Sequence, residues 1–534
     1  MKKVIATALC AVLLLCLFSA CGGKESSNTP TPTAGTSPEV LEDKTTVVGA
    51  EKQEGAKYQE TITIICDNTQ MAVLDPASPQ GGGQGSLMNF NCIHDTLVEN
   101  DNGTLVPCLA LKWDVEDSQH YTFYLRDDVY FHNGEKFTAD DVAFTIEHAK
   151  AAKGGQAFNR LSVVESVEVI DDTTIRITLN RPNNDFLYYL YSPVCSILNR
   201  EACEKDPEKG PWIGTGAWIV EKFVSNEYSE LRVNENYWGE VPVTKKLRFI
   251  KVAEEATRYM MLMNGEVNVA FGCSPADFDS IRNNPNFNLF TYVITNCGFV
   301  GFNMTDPLMQ DINFRKAVAC LLNRSDIIKG TRYGYGALPT SGAFWGYTTP
   351  YKNEDLPLQE YDVELAKEYL KKSKYNGETV ELCAWIPEFK TICQILQAEL
   401  MNIGVKAEVF ETDQAGFMAH CKFDDNKSMI VCTSGGWTGY PSASVPFYTK
   451  GSTSNYASYV NPEIIELLNT AVSTKDEAER ERCYKEVQRL SYEDCVYIPV
   501  MYIQHGVGAA KNVGGVILTE ENTHDLSHVF KIIS

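Results

Sequence analysis

The sequence predicts an α/β protein of more than one domain, on three observations. The chain has 534 residues, more than a single hydrophobic core accommodates. Short apolar runs with the two-residue period of a strand alternate with stretches of helical period. Several stand in strand–helix–strand succession, as in 380–385, 392–401 and 405–410, or 257–265 followed by 267–271, which is βαβ layering. Hydrophobic content of 44% and charged content of 22% are those of an ordinary globular protein.

At the amino terminus, Lys2 and Lys3 precede an apolar run from Val4 to Phe18. That run is too short to span a bilayer comfortably and has the flanks of an export signal. It ends in Ser19, Ala20 and Cys21, the pattern of a bacterial lipoprotein processing site, with Cys21 as the lipidated first residue of the mature chain. Residues 22–57 hold no aromatic and are rich in Ser, Thr, Pro, Gly, Glu and Lys, which predicts a tether outside the fold. A net charge of −23 argues against nucleic acid as a partner. Fourteen cysteines follow Cys21 without a CxxC pair or zinc-like spacing. Most lie inside apolar runs, as Cys66, Cys195, Cys320 and Cys432 do, where a free thiol is a small core residue.

The body opens with a strand at 61–65. The glycine run 81–85 lacks the Lys-Ser/Thr of a phosphate loop and reads as a turn. Residues 91–98 read as the end of a helix. Tyr121, Phe123 and Leu125 alternate with Thr122, Tyr124 and Arg126 as in a half-buried strand, and 129–131 reads as a second short one. Thr138, Asp140 and Asp141 then open a helix, with Val142, Ile146 and Ala149 on its apolar face and Gly154-Gly155 as its stop. Residues 163–170 and 173–179 form a hairpin around Asp171-Asp172. The aromatic run 186–191 is helix or strand, 247–252 a strand, 478–490 a long amphipathic helix, and 498–502 a strand.

Five ordered motifs carry a family resemblance over residues 60–534. They are Pro107, Leu109, Ala110 and Trp113 leading into 121–142; Gly214-Thr215-Gly216 with Asn234, Tyr237 and Gly239; Asn303 with Arg315, Ala317, Asn323 and Arg324; Tyr459, Asn461, Pro462 and Glu463; and Ile498, Pro499 and Tyr502. Together they resemble family 5 of the extracellular solute-binding proteins, the dipeptide/oligopeptide-binding components of ABC importers. The resemblance implies a two-lobed periplasmic-binding-protein-like fold, class II, of the large type with an extra inserted subdomain. By that likeness 58–94, 206–296 and 510–534 form lobe I, 95–205 the inserted subdomain, and 297–509 lobe II. It also implies a monomer held to the extracellular face of the membrane by lipid on Cys21, delivering a peptide or small molecule to permease subunits, with no cofactor.

No GxSxG elbow, HExxH, Walker loop or EF-hand loop is present in the sequence. The pair His524 and His528 reads as a surface helix turn rather than a metal site, and His132 as bonded to backbone in its turn. Asp140-Asp141 and Asp171-Asp172 suit a helix start and a hairpin tip. A binder needs aromatic walls and a few polar groups. The best candidate wall is the run 429–441, a buried strand entering a turn with Gly436, Trp437, Thr438, Gly439 and Tyr440. In peptide-binding relatives an acidic residue follows the tryptophan; here 440–444 holds none, which argues against a peptide anchored there by a free amino terminus. Asn455 matches the family's pocket asparagine region, and Phe344 with Trp345 reads as an exposed aromatic pair in a loop. The rival readings are a secreted cell-wall or glycan hydrolase and a surface sensor or chaperone on the same fold.

The mature protein is expected to begin at Cys21 and partition into detergent, while a Cys21→Ser variant stays in the aqueous phase. Mass spectrometry showing an unmodified amino terminus would refute the assignment.

Overall fold

In the structure, a computed structural model describing residues 45–66, 71–101, 104–420, 427–435 and 440–533, the apolar runs assemble into one large mixed sheet. Its strands in chain order are Thr61–Cys66 (β1), Trp218–Val224 (β2), Tyr228–Val233 (β3), Lys246–Lys251 (β4), Val269–Ala270 (β5), Phe287–Phe302 (β6), Thr379–Ala384 (β7), Lys406–Glu411 (β8), Met429–Gly435 (β9) and Tyr497–Ala510 (β10). Across the sheet they run β8-β7-β9-β6-β10-β5-β1-β4-β3-β2, and Gly336–Ala337 adds an eleventh strand beside β10.

Two strands join the halves. Residues Phe287–Val293 of β6 pair antiparallel with Gln504–Ala510 of β10; the register then slips, and Cys297–Gly301 pairs with Tyr497–Tyr502. On one side of the slip lie β5, β1, β4, β3 and β2, and on the other β9, β7 and β8. This is the two-lobed α/β architecture that the resemblance implies. Both long strands are buried on both faces for most of their length, so they lack the alternation that marks a half-exposed strand. Glycine inside β10 serves close approach: a Cβ on Gly506 would lie 2.3 Å from the Phe278 ring of the helix Phe278–Asn283. On the other half the helix Pro387–Asn402 buries Phe389, Ile392, Cys393, Leu396 and Leu400 along one stripe.

A second, four-stranded sheet has its own core, ordered Ala110–Asp117, His120–Leu125, Thr174–Leu179, Val164–Asp171. The helix Ala139–Ala151 packs beside it, its start fixed by the Asp141 carboxylate, which accepts from Thr138 N at 3.0 Å. One buried side chain ties the motifs together. Asp95 accepts hydrogen bonds from Thr215 Oγ1 (2.7 Å), Tyr237 Oη (3.2 Å) and Trp238 Nε1 (2.9 Å). The Gly214–Gly216 segment lies so close to the end of the helix Gln84–Ile93 that a Cβ on Gly216 would stand 2.6 Å from Cys92 O. His132 Nε2 lies 2.9 Å from Gly216 O, so this histidine does bond backbone. Arg315 and Arg324 are likewise buried ties. Arg315 donates to Met309 O and Asp494 O, and Arg324 to Pro499 O and Gln359 O.

Several expectations need correction. The fold starts no later than Thr45, not at 58, because Thr45–Val48 pairs antiparallel with Val516–Thr519 and Lys52 pairs with Glu240. The helix before Asp95 ends at Ile93, and Val98–Asp101 is already a strand. Residues 129–131 form no strand, only a single bridge from Tyr130 to Lys136. His524 and His528 are not on a helix. His524 is buried, stacks on Phe271, accepts from Thr519 N through Nδ1 at 3.1 Å, and has Nε2 2.7 Å from Tyr292 Oη. The described cysteines are free, and all but Cys495 are buried.

Trp218 at the start of β2 is fully buried, and its Nε1 donates to Ser527 O at 2.8 Å, binding the sheet to the last turn of the chain. Trp218→Ala is expected to lower unfolding stability by about 3–5 kcal/mol, read from the urea midpoint at unchanged slope.

Candidate ligand-binding cleft

Two seams join the halves of the molecule. The first is the register slip in β6 and β10, over which Thr295 N donates to Glu520 O at 3.0 Å and Tyr347 N to Thr295 O at 3.2 Å. The second is formed by the segment leading into the helix Phe186–Leu190. Asn184 N and Nδ2 donate to Val472 O at 3.0 and 2.9 Å, and Nδ2 also reaches Thr474 O. These carbonyls end the helix Pro462–Ser473, where acceptors lack partners within the helix. Next to it, the Asp185 carboxylate accepts from Ser442 N at 3.0 Å. Tyr121 Oη, from the four-stranded sheet, donates to Asn183 O at 2.7 Å and holds this segment in place.

Between the seams stands a cluster of aromatic and charged groups. The Tyr189 ring lies 5.0 Å from the Tyr440 ring, and Tyr189 Oη is 3.3 Å from Ser442 Oγ. Tyr191 Oη donates to the Glu521 carboxylate. Burial first, then Glu521, pushes the Tyr191 hydroxyl well above its ordinary pKa, so it stays a donor. Arg160, at the end of the helix Gln156–Leu161, donates through Nη1 to Gln156 O at 3.3 Å, while its Nε is buried without a hydrogen-bond partner. Burial opposes its charge, but Tyr440, Cys195, Glu521 and Tyr191 together raise its pKa. The cluster therefore holds a guanidinium, a carboxylate and three tyrosines.

Of the expected wall residues, Gly436, Trp437, Thr438 and Gly439 lie outside the described residues, as does Cys21. Tyr440 is 9% exposed and sits in the cluster. Asn455 is buried, and its amide is engaged locally: Nδ2 donates to Thr449 O and Tyr459 O, and Oδ1 accepts from Tyr459 N and Tyr497 Oη. Phe344 and Trp345 are core residues, not an exposed pair. Phe344 stacks 4.7 Å from Tyr497, and Trp345, 0% exposed, donates through Nε1 to Pro350 O at 2.9 Å. Sequence reasoning assigned no role to Arg160, Asp185, Tyr189, Tyr191 or Glu521. The aromatic run 186–191 is the one signal that points to Tyr189 and Tyr191; no local signal marks Arg160 or Glu521. The stretch 440–444 holds no carboxylate of its own, but remote ones stand beside it in space: Asp185 bonds Ser442, and Glu521 and Tyr440 both flank Tyr191 and Arg160.

Residues 104–458 match the family model described as bacterial extracellular solute-binding proteins, family 5, middle. The chain is 26% identical over 486 residues to the dipeptide-binding protein of Escherichia coli K12, covering 82% of this chain and 88% of that one. It is 27% identical over 465 residues to heme-binding protein A of Haemophilus influenzae, covering 78% and 82%. The crystal structure of the ABC transporter substrate-binding protein CtaP from Listeria monocytogenes superposes with a TM-score of 0.79 at 22% identity, covering 89% of this chain and all of that one. The chain belongs to family 5 of the bacterial extracellular solute-binding proteins: it carries a solute for an ABC importer and is not an enzyme.

Proposed function

We propose that the solute is peptide-like, carries both a positive and a negative group, and is held between Arg160, Glu521 and the tyrosines 189, 191 and 440. The observation that carries this reading is Arg160 Nε, buried without a hydrogen-bond partner next to aromatic walls. A buried donor left unpaired costs about 1–3 kcal/mol, more when charged, and a ligand carboxylate would recover that. Glu521 supplies the anion that an ammonium would need. Gly436, Trp437, Thr438 and Gly439, directly before Tyr440 in the chain, stay candidates for the same wall, and Asn455 holds the loop that follows. A relative named for dipeptides supports the ligand class. The protein acts as a monomer, tethered outside the cell by lipid on Cys21.

The moving bodies are 45–94, 206–296 and 510–534 with the subdomain 95–205 on one side, and 297–509 on the other. We place the return crossing near Tyr502–Gln504 rather than at 509/510, because residues 504–510 pair with 287–293. Closure of such bodies on a solute is a hinge motion.

Isothermal calorimetry with a dipeptide panel is expected to find ligands that lose about tenfold or more in affinity in Arg160→Ala and in Glu521→Gln. Co-purification of an uncharged saccharide, with neither variant affected, would sink the proposal.

The second seam has a pH dependence of defined sign. Burial, outweighing the bonds from Ser442 and the nearby Arg480, holds the Asp185 carboxyl above its ordinary value. Opening would return Asp185 to water and to that ordinary value. The closed form thus binds more protons just above it, so closure strengthens as pH falls into that window and weakens as pH rises through it. By small-angle scattering at about pH 4 to about pH 7, Asp185→Asn, which keeps an acceptor for Ser442 N, should be less pH-dependent than the wild type. An identical slope in both proteins would refute the assignment.

A further inference from the structure

Cys393 and Cys432 stand on two elements that face each other. Leu382 and Ala384 of β7 and Ile430 and Cys432 of β9 share one apolar cluster with Phe389, Ile392, Cys393 and Leu396 of the helix Pro387–Asn402, so all of them point into the layer between helix and sheet. The alternate residues of the same strands, Cys383, Met429 and Val431, join Phe417 in a different cluster on the opposite face. Both Cys393 and Cys432 are fully buried.

The register puts the two thiols at one level. β7 runs parallel to both β8 and β9, so the helix that connects β7 to β8 runs back antiparallel to all three. Its Phe389 ring sits over Gly298 of β6, where a Cβ would come 3.0 Å from Phe389 Cζ, and Gly298 pairs with Ser434 of β9. One turn along the helix, about 6 Å, is Cys393; two residues back along β9, about 6.6 Å, is Cys432. The thiols are hydrogen bonded to each other, and Cys432, ahead of burial, holds the Cys393 thiol well above its ordinary pKa. Both cysteines are free, so the pair is a dithiol. Single buried cysteines serve as small core residues. A disulfide needs more, two sulfurs brought together from separate segments by converging Cβ vectors, and hydrogen-bonded thiols on facing elements supply that.

We propose that Cys393 and Cys432 are a disulfide-forming pair: reduced in this structure, they link the helix Pro387–Asn402 to β9 when the chain folds in the presence of a small-molecule disulfide. One cysteine thiolate attacks the S–S bond of the oxidant and expels one thiolate; the second cysteine attacks the mixed disulfide and expels the other. The two protons pass to the two leaving thiolates, and the disulfide of the oxidant takes the two electrons. Both sulfurs are buried in the folded protein, so the bridge closes during folding, while solvent still reaches the thiols, and is then shielded. The family is extracellular, a compartment in which disulfides persist. β9 ends at Gly435, directly before residues 436–439, so the bridge would fasten the strand that leads to the proposed ligand wall. The bridge itself does not depend on that wall.

The test is refolding of the full mature chain from urea with oxidised or with reduced glutathione, followed by alkylation, trypsin and mass spectrometry. Cleavage after Lys390, Lys406, Lys427 and Lys450 leaves each cysteine alone in its peptide, 391–406 and 428–450, and Cys383 in 375–390. Oxidised glutathione is expected to give 391–406 linked to 428–450, and reduced glutathione to give both peptides alkylated. Closing the stretch 393–432 restricts the unfolded chain, so the unfolding equilibrium constant should fall roughly 30- to 700-fold on oxidation, read as a higher urea midpoint. Cys432→Ala should lose that difference between the two buffers. The proposal is overturned if the oxidised refold gives both peptides alkylated or as separate glutathione adducts, or if 375–390 is the partner of either. It is equally overturned if the wild-type midpoint is the same in both buffers. The peptide map and the wild-type midpoint decide the matter even where Cys432→Ala fails to fold.

Discussion

The constraint on which this structure depends is that two strands, β6 and β10, serve two half-sheets at once. A sheet continuous across both halves would be rigid. The slip between Val293 and Cys297 interrupts the ladder between its two paired stretches, leaving backbone groups to be satisfied from outside. Glu520 O and the 345–349 segment do this, so the residues that complete the hinge also stand next to the cleft through Glu521. In the reading proposed above, hinge and ligand wall are joined by a single peptide bond between Glu520 and Glu521, which gives a ligand acting on Glu521 a direct mechanical route to the crossing.

The far seam works by different physics. Asn184 and Asp185 make bonds to the end of one helix and the start of a short turn, so their partners are backbone groups already fixed by their own elements. Such a contact is modest in energy, because each bond replaces one to water. It is also directional, so it forms only when the two bodies reach one relative position. Burying Asp185 costs free energy and the bonds return part of it. A contact of modest energy suits a protein that must open to release what it carries.

Most of the scaffold was legible from sequence, and for a common reason. The half-exposed elements, such as the hairpin Val164–Asp171/Thr174–Leu179 and the helix Ala139–Ala151, show period and caps in their residues. The central strands do not. β6 contains Asn288, Asn296, Gly298 and Gly301, and β10 contains His505, Gly506 and Gly508, residues that read as interruptions. Their small or polar character answers neighbours from remote segments, as Gly506 answers Phe278, which no local window contains. The same holds for the amino-terminal strand Thr45–Val48, whose partner lies at the other end of the chain. Phe344 and Trp345 were misplaced because an aromatic pair flanked by Gly342 and Gly346 looks like a loop, although tertiary packing buries both.

The cleft was less legible than the fold, and the reason lies in what the motifs do. Thr215, Tyr237 and Trp238 are occupied in binding Asp95; Arg315 and Arg324 bind main-chain carbonyls; Asn461 caps the helix Pro462–Ser473. These side chains are committed to the frame's own buried partners, so in the reading proposed above recognition falls to positions outside the motifs. Arg160, Tyr191 and Glu521 are the positions proposed, drawn from three separate stretches and meeting only after folding. Relatives that share this frame can therefore bear names as different as dipeptide-binding and heme-binding. In that reading the frame sets where a solute sits, and residues outside the motifs set which one.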